Sequence, residues 1–219
     1  MNKPANKKLI IYHTMMQLIL FFVAIFLTVM VSTNSSFISK IDDFVFYLAG
    51  FVRNSVVNNI FLFITLLGET TAVIIVLVLL LFSKNRKSYV PLYYLVLISV
   101  CTNYIIKNLV LRPRPVGQFA ENLILNYSFP SSYSFPSGHS QTSLVLYFVL
   151  AYLFANYAYS GKHKKLILTF GILLPVLIMI SRIILGVHFF SDVLMGATIG
   201  TIIITNFIFL EKYNKNNNI

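Results

Sequence analysis

Residues 10–32 read IIYHTMMQLILFFVAIFLTVMVS, an apolar run that contains no Lys, Arg, Asp or Glu. A helix needs about 20 mostly apolar residues to cross the hydrocarbon core of a bilayer, so this run predicts a membrane span. Its apolar part is too long for a typical signal peptide, and no clear cleavage site follows it. We therefore expect a retained anchor. Five more apolar runs follow, at roughly 60–82, 89–111, 140–159, 166–185 and 189–210.

The composition of the whole chain agrees with these runs. Of its 219 residues, 58% are hydrophobic and only 11% are charged, whereas an ordinary soluble domain has about a quarter charged residues. A soluble fold of this size would lack the polar surface needed to cover itself, and a disordered chain would be far less apolar. We expect a single integral membrane domain over residues 1–219.

The segment 36–58, SFISKIDDFVFYLAGFVRNSVVN, has a different pattern from the six runs. It mixes charged residues and asparagines with aromatic ones, which is typical of an amphipathic helix that lies in the membrane interface. The predicted fold class is therefore all-α: a six-transmembrane-helix bundle with an interfacial amphipathic helix between the first two spans.

The basic residues predict the orientation of the chain. There are 17 Lys and Arg against 6 Asp and Glu, a net charge of +11. Eleven of the 17 fall at the two termini and in the loops 83–88 and 160–165, which by the positive-inside rule predicts a multi-pass protein of the cell membrane with both termini cytoplasmic. No nucleic-acid partner is expected. The other six basic residues are Lys40, Arg53, Lys107, Arg112, Arg114 and Arg182.

Four of these six lie at the outer ends of the third and fifth spans, where charge is costly and usually functional. The first cluster is KNLVLRPRP, residues 107–115. Pro113 and Pro115 end the helix and restrict the direction of the chain, so Lys107 and Arg114 project from a rigid exit. The alternative is simple contact of basic residues with lipid headgroups.

The second cluster is FPSGHS, residues 135–140, just before the fourth span. Gly138 allows close approach of the backbone to a ligand, and the free N–H groups of a helix start bind anions. Ser137 adds a hydroxyl, and His139 adds a group that changes protonation near neutral pH. The alternative is an ordinary helix cap next to an interfacial histidine.

The third cluster is SRIILGVHFFSD, residues 181–192, which joins the fifth and sixth spans. His188 and Asp192 are four residues apart, so on a helix they share a face and can form a hydrogen bond. Gly186 allows a turn that brings Arg182 back toward His188. The alternative is a His–Asp pair that only joins two helix ends. All three clusters fall on the extracytoplasmic side, and together they predict a site for phosphate and its transfer to a histidine.

The three clusters resemble the signature of the type 2 phosphatidic acid phosphatase family, whose site is similar to that of vanadium haloperoxidases and bacterial acid phosphatases. The family pattern is K-x6-R-P, then P-S-G-H, then S-R-x5-H-x3-D. Every defined position matches between Lys107 and Asp192, and eleven specified residues at about 5% each do not coincide by chance. Arg112 falls outside the pattern, because Lys would then be needed at position 105, which is Ile105.

The resemblance implies the role of each residue. The substrate phosphate would bind to Lys107, Arg114, Ser137, Gly138 and Arg182. His188 would attack phosphorus to form a phosphohistidine, with Asp192 orienting it, and His139 would protonate the leaving oxygen and then activate water. Three cations can take the part that Mg²⁺ has in other phosphoryl transfers, so we expect neither a metal nor a cofactor.

A site at the outer membrane surface implies a lipid phosphate substrate whose tail stays in the bilayer. The family's bacterial members suggest undecaprenyl diphosphate or phosphatidylglycerophosphate, between which the sequence does not choose. The alternative to an enzyme is a non-catalytic protein that binds or transports lipid phosphates. Glu69, near the outer end of the second span, is expected either to line the mouth of the site or to be a solvated interfacial residue. The segment 116–134 and the oligomeric state carry no prediction.

Overall fold

The computed structural model describes residues 3–115, 132–158 and 161–217, and the regular structure in these ranges is entirely helical. The predicted all-α class is therefore confirmed for these residues. Residues 116–131, which form most of the segment 116–134, lie outside the described ranges. The helices are α1 (Lys3–Ser32), α2 (Ser36–Val52), α3 (Ser55–Leu66), α4 (Thr70–Leu81), a short 3₁₀ helix (Arg86–Tyr89), α5 (Val90–Val110), α6 (Gly138–Ala158), α7 (Gly161–Ile184) and α8 (Phe190–Asn217).

Four helical stretches in the described part of the chain are long and apolar enough to cross a membrane: Asn6–Ser32, Arg86–Val110, Gly161–Ile184 and Phe190–Asn217. The bent pair α2 and α3, which meet at 116°, makes a fifth if it is counted as one span. Large aromatic side chains cover the outside of the bundle; Phe22 is 71% exposed and Phe82 is 82% exposed. An apolar exterior of this kind is suited to lipid rather than water.

The structure differs from the predicted helix boundaries between residues 36 and 82. The predicted interfacial helix 36–58 ends at Val52, and a new helix starts because the Asn54 side chain accepts a hydrogen bond from the Val57 N–H at 3.0 Å, as a helix N-cap does. The apolar run 60–82 is shared between α3 and α4, which are separated by Leu67, Gly68 and Glu69. Uniform hydropathy across this run conceals the break.

Helix α6 lies at the centre of the bundle, packed against α5, α7 and α8. Its side chains Leu146, Val149 and Leu153 are fully buried in the main apolar core. Helix α1 packs on the outside of α8. This packing brings the C-terminal end of α5, the N-terminal end of α6 and the turn between α7 and α8 to the same end of the bundle.

Candidate active site

The C-terminal end of α5 supplies the first basic side chains of the site. Leu111 ends the helix in the left-handed conformation, with φ +55°, and its N–H donates to the Lys107 carbonyl. The Nζ of Lys107 donates a hydrogen bond to the Tyr133 carbonyl at 2.9 Å. Pro113 and Pro115 follow the helix and cannot continue it, so Arg112 and Arg114 leave in fixed directions.

Arg114 reaches the turn between α7 and α8. Its Nη1 donates to the Val187 carbonyl at 2.9 Å and lies 3.0 Å from Nε2 of His188. Its Nε donates to the Ser132 carbonyl at 2.7 Å. The guanidinium is therefore held in place from two sides, directly beside one nitrogen of the histidine.

The turn before α6 supplies a serine and free backbone N–H groups. Ser137 is fully buried, and its N–H donates to the Asp192 carbonyl at 3.0 Å. Gly138 begins α6, so the orphan N–H groups of the first turn point out of the helix at this position. Gly196 of α8 packs against the turn so tightly that a Cβ there would lie 2.6 Å from the Ser137 carbonyl oxygen.

A buried polar network supports this turn from below. The Asn103 amide of α5 donates to the Pro136 carbonyl at 3.2 Å and to Oε1 of Gln141 at 3.1 Å. The Gln141 amide in turn donates to the Ser99 carbonyl at 2.7 Å. Because each buried polar group here has a partner, the network holds the turn rigidly against α5.

The turn between α7 and α8 carries the histidine and its carboxylate. The backbone N–H of His188 donates to the Arg182 carbonyl at 3.2 Å, and Gly186 takes the turn with φ +67°. Nδ1 of His188 lies 3.4 Å from Oδ2 of Asp192, and the same oxygen accepts from the Phe189 N–H at 2.9 Å. The four-residue spacing predicted this pair on one helix, but His188 lies in the turn before α8 and only Asp192 is helical. Nδ1 of His188 faces the carboxylate and Nε2 faces Arg114.

The surroundings of His188 favour its neutral form. Burial lowers the pKa of His188 well below its ordinary value of 6.5, and the positive charges of Arg114, Arg182 and Lys107 lower it further. A neutral imidazole whose Nδ1 carries the proton toward Asp192 has a lone pair on Nε2, which is the form that a nucleophile requires.

The structure brings the predicted site residues together at this one end of the bundle. Arg182 is fully buried and lies beside the Thr65 hydroxyl, and Nε2 of His139 lies 3.3 Å from Oε1 of Glu69. The catalytic roles of these residues stay predictions. In the part of the chain that the structure describes, no three His, Cys, Asp or Glu side chains are grouped to hold a metal ion; the prediction of a metal-free site stays a prediction too.

Sequence reasoning missed the contacts that Arg112 and Asp42 make around Asp192. Arg112, which falls outside the motif, donates to Oδ1 of Asp192 and to Oδ2 of Asp42, each at 2.7 Å. Asp42 is buried in α2 and also accepts hydrogen bonds from the N–H and the hydroxyl of Ser191. A signal for this contact was present, since Arg112 was one of four basic residues that the topology left unexplained.

Glu69 lies beside His139, a predicted site residue, and its side chain is one-third exposed. The break between α3 and α4 places its carboxylate beside His139, and the same break follows Thr65, which contacts Arg182. The sequence holds no motif for Thr65, because its contact depends on how α3 packs against α7.

Comparison with known proteins agrees with this geometry. Residues 88–216 match the family model described as PAP2 superfamily. The chain is 31% identical over 183 residues to phosphatidylglycerophosphatase B of Bacillus subtilis (strain 168), covering 81% of this chain and 87% of that protein.

Two crystal structures have the same fold. One is the first transmembrane PAP2 type phosphatidylglycerolphosphate phosphatase from Bacillus subtilis, with a TM-score of 0.77 and 25% identity over 91% of this chain and 96% of that one. The other is Aquifex aeolicus LpxE, with a TM-score of 0.57 and 28% identity over 76% and 92% of the two chains. The chain therefore belongs to the PAP2 superfamily and is a multi-pass membrane enzyme that hydrolyses lipid phosphates.

Proposed function

We propose that the enzyme hydrolyses a lipid phosphate monoester at the outer membrane face, without a metal, through a phosphohistidine on His188. The observation that carries the proposal is the pair of contacts that the His188 ring makes. Its Nδ1 faces Asp192 at 3.4 Å, and its Nε2 lies 3.0 Å from Arg114. A phosphoryl group bound to the Arg114 guanidinium would thus lie next to the nucleophilic nitrogen.

In the proposed ground state, Lys107, Arg114 and Arg182 bind the phosphate oxygens. The Ser137 hydroxyl and the N–H of Gly138 complete the cradle at the N-terminus of α6, where helix N–H groups favour an anion. Phosphoryl transfer depends mainly on positioning and charge stabilisation, and a cradle built on helix ends and rigid turns supplies both.

In the first proposed step, Nε2 of His188 attacks phosphorus, a P–N bond forms and the bond from phosphorus to the lipid oxygen breaks. His139 gives its proton to that oxygen, and the lipid alcohol leaves. In the second step His139 takes a proton from water as the water oxygen attacks phosphorus, and the P–N bond breaks to release inorganic phosphate. Asp192 holds the ring of His188 in the same tautomer throughout.

For the lipid, we propose phosphatidylglycerophosphate, because the similar curated protein and one of the similar crystal structures, both from Bacillus subtilis, are named for it. The match covers 87% of the curated protein and 96% of the chain in the crystal structure, so the likeness extends over most of their length. Undecaprenyl diphosphate is the second lipid to test, since the sequence motif fits both.

For the topology, we propose a single domain over 1–219 with six crossings, both termini cytoplasmic and the site on the outer side. In this arrangement α3 and α4 together form the second crossing, and α2 lies in the interface. Support comes from the basic loops around Lys84 and Lys164, which are cytoplasmic in this topology as the positive-inside rule requires. Labelling of single cysteines introduced at Ser88 and Ser132, in a Cys101→Ser background, distinguishes the two sides.

The proposed chemistry is tested with purified protein in detergent containing EDTA. We expect phosphate release from phosphatidylglycerophosphate by the wild type and by His163→Ala, at the far end of α7, and none from His188→Ala. Rapid quenching with ³²P-labelled lipid should trap an acid-labile, alkali-stable phosphoprotein in the wild type and in His163→Ala, and none in His188→Ala. Substantial turnover by His188→Ala would refute the phosphohistidine.

A further inference from the structure

The break between α3 and α4 packs directly on the ring of His139. A Cβ added at Gly68 would lie 2.9 Å from Cδ2 of His139 and 2.7 Å from Cγ2 of Ile178, so glycine is required for the backbone to come this close. The hydroxyl of Tyr147, two turns along α6, donates to the Leu67 carbonyl at 2.6 Å. The break is thereby fastened to the same helix that carries His139.

Glu69 follows this close approach and brings a negative charge to the histidine. Its Oε1 lies 3.3 Å from Nε2 of His139, and the carboxylate side chain is 32% exposed while the histidine side chain is 14% exposed. Asp192, in contrast, is fully buried and faces Arg112 at 2.7 Å. Glu69 is therefore an acidic group that an incoming substrate can reach.

The position of this charge has a consequence for the leaving group. In the proposed function, His139 protonates the oxygen that leaves phosphorus, so the group attached to that oxygen lies next to the His139 ring. Nε2 of the same ring is buried and faces Glu69 at 3.3 Å, so the leaving group comes within electrostatic range of the carboxylate. The three cations Lys107, Arg114 and Arg182 serve the transferred phosphoryl group instead. A second phosphoryl group on the leaving side would meet a carboxylate.

We propose that Glu69 is a specificity-determining residue that favours lipid phosphate monoesters over lipid diphosphates. In a monoester the leaving oxygen is bonded to carbon, and in phosphatidylglycerophosphate the remaining phosphodiester lies at the far end of the glycerol, whose free hydroxyl can donate to the carboxylate. In a diphosphate the leaving oxygen belongs to a second, negatively charged phosphoryl group, which the carboxylate repels. The inference rests on the proposed role of His139 and names the substrate class of that same site.

The test uses two substrates that share one tail, phosphatidic acid and diacylglycerol diphosphate, and follows the first phosphate released from each. We expect Glu69→Gln to raise kcat/KM for the diphosphate about tenfold, since one repulsive charge at close range is removed near the surface. The matched control is Asp43→Asn, which removes an exposed carboxylate of α2 and should leave both substrates unchanged.

The kcat/KM of Glu69→Gln for the diphosphate itself, and not only its ratio to the value for the monoester, decides the result. If Glu69→Gln only slows the monoester, or slows both substrates equally, Glu69 serves to orient His139 and the specificity role is overturned. A diphosphate value that stays at the wild-type level overturns it as well. Failure of the proposed function looks different, because the wild type would then release no phosphate from either lipid, while thermal unfolding in detergent shows folded protein.

Discussion

Arg112 holds the carboxylate of Asp192 in one orientation. Its Nη1 donates to Oδ1 of Asp192 at 2.7 Å, which leaves Oδ2 turned toward Nδ1 of His188 at 3.4 Å. The other end of the same guanidinium is held by Asp42 of α2 at 2.7 Å, so α2 is tied to the site through one arginine. Hydrogen bonds between ionised groups are stronger than neutral ones, and the planar guanidinium fixes the two carboxylates relative to each other.

We predict that Arg112→Lys lowers kcat about tenfold to a hundredfold with little change in KM. A lysine keeps the charge but cannot bridge both carboxylates in a fixed plane, and the loss of one such hydrogen bond is worth about 1–3 kcal/mol. Steady-state kinetics on the preferred lipid measure the split between kcat and KM. Asp42→Asn, which leaves the contact with Asp192 in place, should cost less, and an equal or larger loss would contradict the orienting role.

The pKa of His188 predicts which form of the ring is present at low pH. Burial and the charges of Arg114, Arg182 and Lys107 lower this pKa well below 6.5, so the folded protein should keep His188 neutral as the pH falls through 6.5. Imidazole ¹⁵N spectra of labelled protein, assigned with His188→Ala, report the charge directly. A titration midpoint at or above pH 6.5 for the His188 ring would contradict the prediction that His188 stays neutral at this pH.

The residues that form the motif were predictable because chemistry restricts them to short, fixed spacings. Lys107 and Arg114 lie at one helix end, and His188 and Asp192 are four residues apart across the start of α8, so local geometry places each pair. The contacts of Asp42 and Thr65 were not predictable in this way. Each lies more than a hundred residues from its partner, Ser191 of α8 and Arg182 of α7, and only the packing of α2 and α3 brings them together.

Some helix boundaries were likewise predictable from the sequence, and others were not. The apolar runs that became α1, α5, α7 and α8 were found by hydropathy, because lipid requires long uninterrupted helices. The run 60–82 was not resolved correctly, since its break at Leu67–Glu69 contains only one residue, Gly68, that interrupts a helix. That break is formed by tertiary contacts with α6, such as the hydrogen bond from Tyr147.

The buried network under the turn before α6 gives a prediction of stability. Asn103→Ala removes the donor to the Pro136 carbonyl and to Gln141, and leaving buried acceptors unsatisfied costs about 1–3 kcal/mol. The melting temperature in detergent should fall by roughly 2–4 °C for each of those kcal/mol. Asn108→Ala on the same helix is the control, because its exposed amide bonds only to its own helix at Tyr104; equal losses in both variants would show that the network does not stabilise the turn.

The contact between α8 and the turn before α6 predicts a strong effect of one methyl group. In Gly196→Ala the new Cβ would lie 2.6 Å from the Ser137 carbonyl oxygen and 3.0 Å from Cβ of Ser140, so α8 and the turn have to separate. Overpacking of this kind costs about 1–3 kcal/mol, and a displaced Ser137 should lower kcat/KM by about a hundredfold. The matched substitution Gly50→Ala meets no atom within 4 Å and should retain full activity. Wild-type kinetics in Gly196→Ala would mean that Ser137 does not need its place beside Asp192 for catalysis.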